Sequence, residues 1–192
     1  MEATDHRKFQ VICADPPWSF NDKLTMSTTR RGSQSHYPVL GIDAIKQLRV
    51  SELADDPAIL ALWCPSSLLD EGIDIVRAWG FSFKQTVVWP KKRIGMGHLF
   101  RNQHELALIG TRGKYSSIVR NRGQSTLLPT ESLRHSQKPE SLQDRLELML
   151  DGSKLELFAR RYRSGWTCLG NELPETMGVD IRDTITWLLR RE

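Results

Sequence analysis

Cysteine is scarce in this sequence: three in 192 residues, at Cys13, Cys64 and Cys168. They are too scattered for a disulfide framework and fit no metal-ligand spacing, so a reduced, cytoplasmic compartment is the expectation. No apolar run approaches the ~20 residues of a membrane helix. The opening MEATDHRKFQ lacks the apolar centre of a signal peptide. Repeats and low-complexity tracts are missing, which excludes solenoids and compositional linkers. Residues 154–160 carry no G-x-G-x-x-G turn, so dinucleotide chemistry is not legible there. His36, His98, His104 and His135 match no standard metal site, and no metal is expected.

Acidic residues are almost absent from one stretch. Between Lys91 and Thr130 stand Lys91, Lys92, Arg93, Arg101, Arg112, Lys114, Arg120 and Arg122 against Glu105 alone, a balance of eight minus one, or +7, inside a chain whose net charge is only +4. Clustered positive charge is the usual footprint of a phosphate-backbone partner, although a solvated basic loop would look the same.

The remainder is ordinary: 39% hydrophobic and 26% charged, long enough for one domain with its own core. Phe9–Ala14 reads as a buried strand, residues 21–38 as a long polar loop, and 42–48 as a short helix. Strand-like runs come next at 58–63, 81–89 and 103–109, the last closed by a turn at Gly110-Thr111-Arg112-Gly113. A helix over 66–79 has Ser66 or Ser67 as a cap and Gly80 as its stop. Residues 115–134 form a long connection, 139–150 a helix, 154–158 and 166–169 the last strands, and Ile181–Arg190 an amphipathic helix. Alternating strands and helices predict an α/β three-layer sandwich with a mostly parallel central sheet. Ligands of such sheets bind outside the carboxyl ends of the strands, and Asp15 falls at one of them.

The first strand runs directly into Asp15-Pro16-Pro17-Trp18. The prolines hold Asp15 and Pro16 extended and offer no N–H, so their carbonyls remain available as acceptors. Asp15 adds a charged acceptor and Trp18 a broad ring. Together they suit a flat base that carries an amino group. Two acceptors on that amine would stabilise the positive charge that develops when it attacks an electrophile, and Asp15 would take the proton. A Trp18 buried in the core is the bland alternative.

DPPW and an ordered set of later stretches are similar to those of the amino-methyltransferases related to the catalytic subunit of the mRNA adenosine methyltransferase. The stretches are His36-Tyr37-Pro38, Leu62-Trp63, Ala78-Trp79-Gly80-Phe81, Val88-Trp89, residues 100–105, His135-Ser136-Gln137-Lys138-Pro139, residues 154–160 and Gly170-Asn171-Glu172-Leu173. The resemblance covers roughly residues 9–173 and implies a Rossmann-like S-adenosylmethionine-dependent methyltransferase fold with permuted motif order, the catalytic motif preceding the cofactor motifs. It implies that Asp15, Pro16, Pro17 and Trp18 hold the target amine and ring. Asp15, Lys138, Phe158, Arg160, Asn171 and Glu172 would contact the cofactor S-adenosyl-L-methionine. Tyr37, Asn102 and Glu105 would border the substrate. Lys91, Lys92, Arg93, Arg101, Arg112, Arg120 and Arg122 would grip nucleic acid.

The expectation is one methyltransferase domain over residues 1–192, in which 174–192 is a helical C-terminal extension. Its reaction would be methylation of adenine N6 in nucleic acid, with DNA ahead of RNA, in a microbial or phage-encoded enzyme. The intact DPPW argues for the active type of subunit. Two other readings stand beside it, a non-catalytic nucleic-acid-binding subunit and a cytosine-N4 methyltransferase. The partners implied are nucleic acid and either a second copy of the chain or a related subunit, with no membrane.

Overall fold

Phe9–Ala14 (β1) is the axis of the molecule. Its side chains are almost wholly buried, as a strand covered on both faces requires. A computed structural model describes residues 8–19, 40–95, 97, 99–131 and 137–190. The expected loop over 21–38 therefore lies outside the described residues. The other strands are β2 (Ala54–Cys64), β3 (Ser82–Pro90), β4 (His104–Arg112), β5 (Lys154–Leu157) and β6 (Thr167–Leu169). They form a six-stranded sheet in the order β3-β4-β2-β1-β5-β6. β1 runs parallel to β2 and β5, and β5 to β6, whereas β4 pairs antiparallel with both β2 and β3. The predicted mostly parallel sheet is therefore present, with an antiparallel hairpin at one edge.

The helices are α1 (Ile42–Lys46), α2 (Val50–Leu53), α3 (Leu69–Ala78), α4 (Ser141–Met149) and α5 (Ile181–Arg190). Along β1, β2 and β5 the side chains alternate between two cores. Ile12, Ala14, Leu60, Leu62 and Leu155 face Ile45, Leu53, Ile75, Val76 and Ile185 from α1, α2, α3 and α5. Val11, Cys13, Ile59, Ala61 and Trp63 face Leu142 and Leu146 of α4, with Ile118 and Leu128 of the long connection. This is a three-layer α/β sandwich. The amphipathic α5 packs Ile181, Ile185 and Leu188 inward.

Several boundaries moved, each for a local reason. Gly110-Thr111-Arg112 is strand rather than turn. A Cβ on Gly110 would stand 2.8 Å from Val76 and 2.9 Å from Phe81, so this glycine permits close packing, and the chain turns only at Gly113, where φ is +58°. The 66–79 helix divides into a 3₁₀ turn, Ser66–Leu68, and α3, and no serine side chain caps it. The helix expected over 42–48 is α1, which ends at Lys46, and a further short helix, α2, follows at Val50–Leu53. β2 begins four residues early and runs through Pro57, at the register irregularity between Phe9 and Val11 that lets a central strand tolerate a proline. The β3 edge is covered by the long connection, since Val88 donates to Thr126 O at 2.7 Å and Leu128 to Val88 O at 2.8 Å.

Candidate active site

Side chains two residues apart on a strand share a face, and this rule assembles the site. Val11 and Cys13 point toward α4, so Asp15 continues that face just beyond β1. Ile59, Ala61 and Trp63 do the same on β2, and Val87 and Trp89 on β3, continued by Lys91. Glu105 precedes Ala107 on the same face of β4. Lys138 arrives from the segment ahead of α4.

These groups form a chain of alternating charge across the carboxyl ends of the parallel strands. Lys138 Nζ lies 2.9 and 3.0 Å from the two oxygens of Asp15 and 3.3 Å from Glu105 Oε2. The other Glu105 oxygen pairs with Lys91. Beneath the cations, Trp63 and Trp89 meet edge to face, their centroids 6.3 Å apart. The Lys138 ammonium stands 5.9 Å from the Trp63 centroid and that of Lys91 5.5 Å from Trp89, both within cation–π reach. Both indole N–H groups are buried and meet no acceptor among the described residues.

The site has a definite electrostatic state. Burial pushes the Glu105 carboxyl up, but the ammoniums of Lys138 and Lys91 together hold it below its ordinary value. Burial likewise disfavours the Lys138 ammonium, yet Asp15 and Glu105 outweigh it and raise its pKa. One strand over, Glu156 is paired in register with Cys13 and accepts from Gln143 at 3.2 Å. Burial raises its carboxyl, opposed by Arg161 and Gln143 and reinforced by Asp15. Burial also lifts the thiols, that of Cys13 well above its ordinary value, Cys64 to about 12 and Cys168 to about 11. None is a thiolate near neutrality, which argues against a nucleophilic cysteine.

The DPPW segment differs in part from expectation. Asp15 and Pro17 are half-buried and Pro16 is buried. Trp18 is only 7% exposed and donates from Nε1 to Trp63 O at 3.0 Å. The Pro17 carbonyl already accepts from the N–H of Leu40 at 3.2 Å. Trp18 thus anchors the turn to β2, the core position that was the other reading of this residue. Trp18→Ala should lower stability by about 3–5 kcal/mol, or roughly 6–20 °C in Tm for a domain of this size. Thermal unfolding checks this, and an unchanged Tm with slower turnover would return Trp18 to a stacking role.

On the other side of Asp15, the ends of β5 and β6 bring the expected cofactor residues together. Asp15 N donates to Leu157 O at 3.4 Å. Phe158 comes next with φ +63°, a left-handed conformation costing ~1–3 kcal/mol in a non-glycine residue and concentrated at functional sites. Arg160 Nε pairs with Glu172 at 3.2 Å. Asn171 O accepts from Gly178 N at 2.9 Å, and a Cβ on Gly170 would strike Ala159 O at 2.0 Å. Loops after β5 and β6 are therefore drawn together beside β1, at the point where the chain's connections diverge to opposite sides of the sheet.

The basic cluster is not one surface. Lys91, Lys92, Arg93 and Arg101 lie at the site end, where Lys92 and Arg93 are exposed and Asn102 closes the base of the hairpin loop by accepting from Gly95 N at 2.7 Å. Arg112 pairs in register with Ala58, at the other end of β4, and donates to Ser51 O at 2.8 Å. Arg120 donates to Leu148 O and Glu147 O and pairs with Asp151 at 3.1 Å, holding the end of α4. Arg122 is exposed beside it. A nine-residue strand separates the two groups by about 25 Å, so Arg112, Arg120 and Arg122 do not join the site. Tyr37 lies outside the described residues. Among the described residues, no three His, Cys, Asp or Glu side chains gather to hold a metal ion, and no helix is long and apolar enough to cross a membrane.

The sheet order, with its antiparallel edge hairpin, is that of a Rossmann-like methyltransferase fold. The chain belongs to the MT-A70 family, whose pattern matches residues 9–172. It is 31% identical over 185 residues to the Type II methyltransferase M.MunI of Mycoplasma sp, covering 88% of this chain and 79% of that protein. It is 28% identical over 178 residues to the human N(6)-adenosine-methyltransferase catalytic subunit METTL3, covering 86% of this chain but 28% of METTL3. It is 26% identical over 198 residues to the human N(6)-adenine-specific methyltransferase METTL4, covering 92% of this chain and 40% of that protein.

Proposed function

We propose that this chain transfers a methyl group from S-adenosylmethionine to the N6 amine of adenine in nucleic acid, with DNA favoured over RNA, in a cytoplasmic setting suited to three free thiols. MT-A70 methyltransferases use S-adenosylmethionine as methyl donor. The observation that carries the reading is the Asp15–Lys138 pair at the exit of β1, on DPPW residues inside the family match. The DNA preference rests on similarity to a Type II methyltransferase along 79% of its length, against 28% of METTL3.

The residues present fit the donor. A lysine beside two carboxylates suits the charged amino-acid end of the cofactor. The Arg160–Glu172 pair beside a close-packed Gly170 suits a ribose diol and a flat ring. When bound, the cofactor supplies an electrophilic methyl carried on a sulfonium. Lys138 would hold its carboxylate, which leaves Asp15 available to the substrate. The adenine amine is a poor nucleophile because its lone pair is delocalised into the ring. Asp15 and the Pro16 carbonyl accept from its two hydrogens, favour a tetrahedral nitrogen and stabilise the positive charge that grows on it. Asp15 then takes the departing proton.

The test is an assay with labelled cofactor on matched single- and double-stranded DNA and RNA, followed by nucleoside analysis. N6-methyldeoxyadenosine is expected. N4-methylcytosine, or no calorimetric binding of S-adenosylmethionine, would overturn the reading. The split of the basic cluster adds a second test. Lys92→Glu with Arg93→Glu should reduce the slope of log affinity against log salt by about 2, roughly 0.9 per lost phosphate contact. Arg122→Glu should leave it unchanged. The reverse pattern would move the nucleic acid to the other end of the sheet.

A further inference from the structure

The β3–β4 hairpin loop does more than carry cations. Its base is closed by Lys91 N donating to Gln103 O at 2.8 Å and Gly95 N to Asn102 O at 2.7 Å. Gly97 lies close against the backbone of Phe100, since a Cβ there would meet Phe100 O at 2.0 Å. At the tip, Leu99 is 88% and Phe100 82% exposed, the most exposed large hydrophobic side chains among the described residues. From residue 91 to 104 there is no acid, and Lys91, Lys92, Arg93 and Arg101 flank the tip. One end of the loop is fastened to the site, because Lys91 pairs with Glu105, Glu105 with Lys138, and Lys138 with Asp15.

Two adjacent apolar side chains held in water have no use in a phosphate-binding loop, which needs only charge. They suit a base stack. An adenine inside duplex DNA presents its amine to a protein pocket only after leaving the helix, and that extrusion costs a few kcal/mol. Apolar side chains inserted between base steps offset such a cost, with neighbouring cations on the phosphates. We propose that Leu99 and Phe100 form a wedge that enters duplex DNA as the target adenine is extruded toward Asp15. This rests on the nucleic-acid reading of the site and deepens it, making the hairpin tip a positioning element for duplex substrate.

The test uses the full chain with Leu99→Ala and Phe100→Ala together; both side chains are exposed, so the fold is retained. Labelled methyl transfer is measured on duplex plasmid DNA and on the same DNA after heat denaturation. The wild type must form N6-methyladenine on at least one of the two; failure on both sinks the functional reading itself. The wedge requires that the double variant lose at least about tenfold on duplex DNA, with activity on denatured DNA within about twofold of wild type. Phe100→Tyr, which keeps a ring, should retain the wild-type ratio. An equal loss on both substrates, no loss on either, or a wild type confined to single strands would overturn the wedge and leave the active-site reading standing. Self-association of the wild type in sedimentation that the double variant abolishes would also overturn it, and would assign the tip to a protein interface.

Discussion

Asp15→Ala should reduce methyl transfer by about 10³-fold or more while leaving the fold standing. Two effects add. The carboxylate is one of two acceptors on the amine, and removing one preorganised partner of a developing charge typically costs 10²–10³-fold. It is also the group placed to take the proton, a contribution of about 10²–10⁴-fold. The fold should survive because Asp15 belongs to neither core and lies just beyond β1. Lys138 keeps a partner in Glu105 at 3.3 Å. Asp15→Asn should be nearly as damaging, since it keeps volume and one acceptor but turns an N–H toward the Lys138 ammonium. The measurement is turnover with labelled cofactor beside thermal unfolding. A variant that retains most of its turnover would remove the amine-holding role.

How much of the site was legible depended on the kind of signal. Asp15 and Lys138 are 123 positions apart, and no local spacing joins them; only the ordered run of motifs suggested that they act together. Trp63 and Trp89 stood inside those motifs but received no role. Strand periodicity carried the missing signal: counting by twos from the buried Val87 reaches Trp89 and then Lys91, and from Ile59 it reaches Trp63. The same count would have shown that Lys91 points into the site, where it pairs with Glu105, rather than only outward to phosphate. Glu156 could not have been found this way. An acid that alternates with leucines in a short strand reads as solvent-facing, and only the sheet order reveals that β5 is covered on that side by α4.

The basic stretch divides in space for a different reason. Charge counted along the chain says nothing about which end of a strand each residue occupies, and β4 carries Arg112 away from Arg101. Gly110 misled in a related way. A glycine near other turn-forming residues was read as chain reversal, when the space beside Val76 and Phe81 was what demanded it. Trp18 was open to both readings from sequence. The hydrogen bond to Trp63 O accounts for the anchoring one.

The second large effect concerns Lys138. Lys138→Met keeps much of the aliphatic stem over Trp63 but removes the ammonium, leaving Asp15 without its cation and Glu105 with Lys91 alone. The side chains of Lys138, Asp15 and Glu105 are 18%, 19% and 21% exposed, so solvent screens them poorly. Breaking such a pair by removing one member costs about 3–5 kcal/mol, a fall of roughly 6–20 °C in Tm. Cofactor affinity should fall at least about 30-fold, equivalent to ~2 kcal/mol. The pH dependence identifies the cause. In the wild type, burial of Glu105 is outweighed by its two lysines and its pKa is depressed, so its contribution is present above the ordinary 4.5 and lost as pH falls through the depressed value. Burial of Lys138 is outweighed by its two carboxylates and its pKa is raised, so its contribution is complete below 10.5 and lost only as pH rises through the raised value. The Tm gap between wild type and Lys138→Met should thus be widest between these limits and close on acidification below about 4.5, where Glu105 takes up its proton. A gap that ignores pH, with S-adenosylmethionine bound as tightly as by the wild type, would mean that Lys138 merely packs against Trp63 and that the cofactor's carboxylate is held elsewhere.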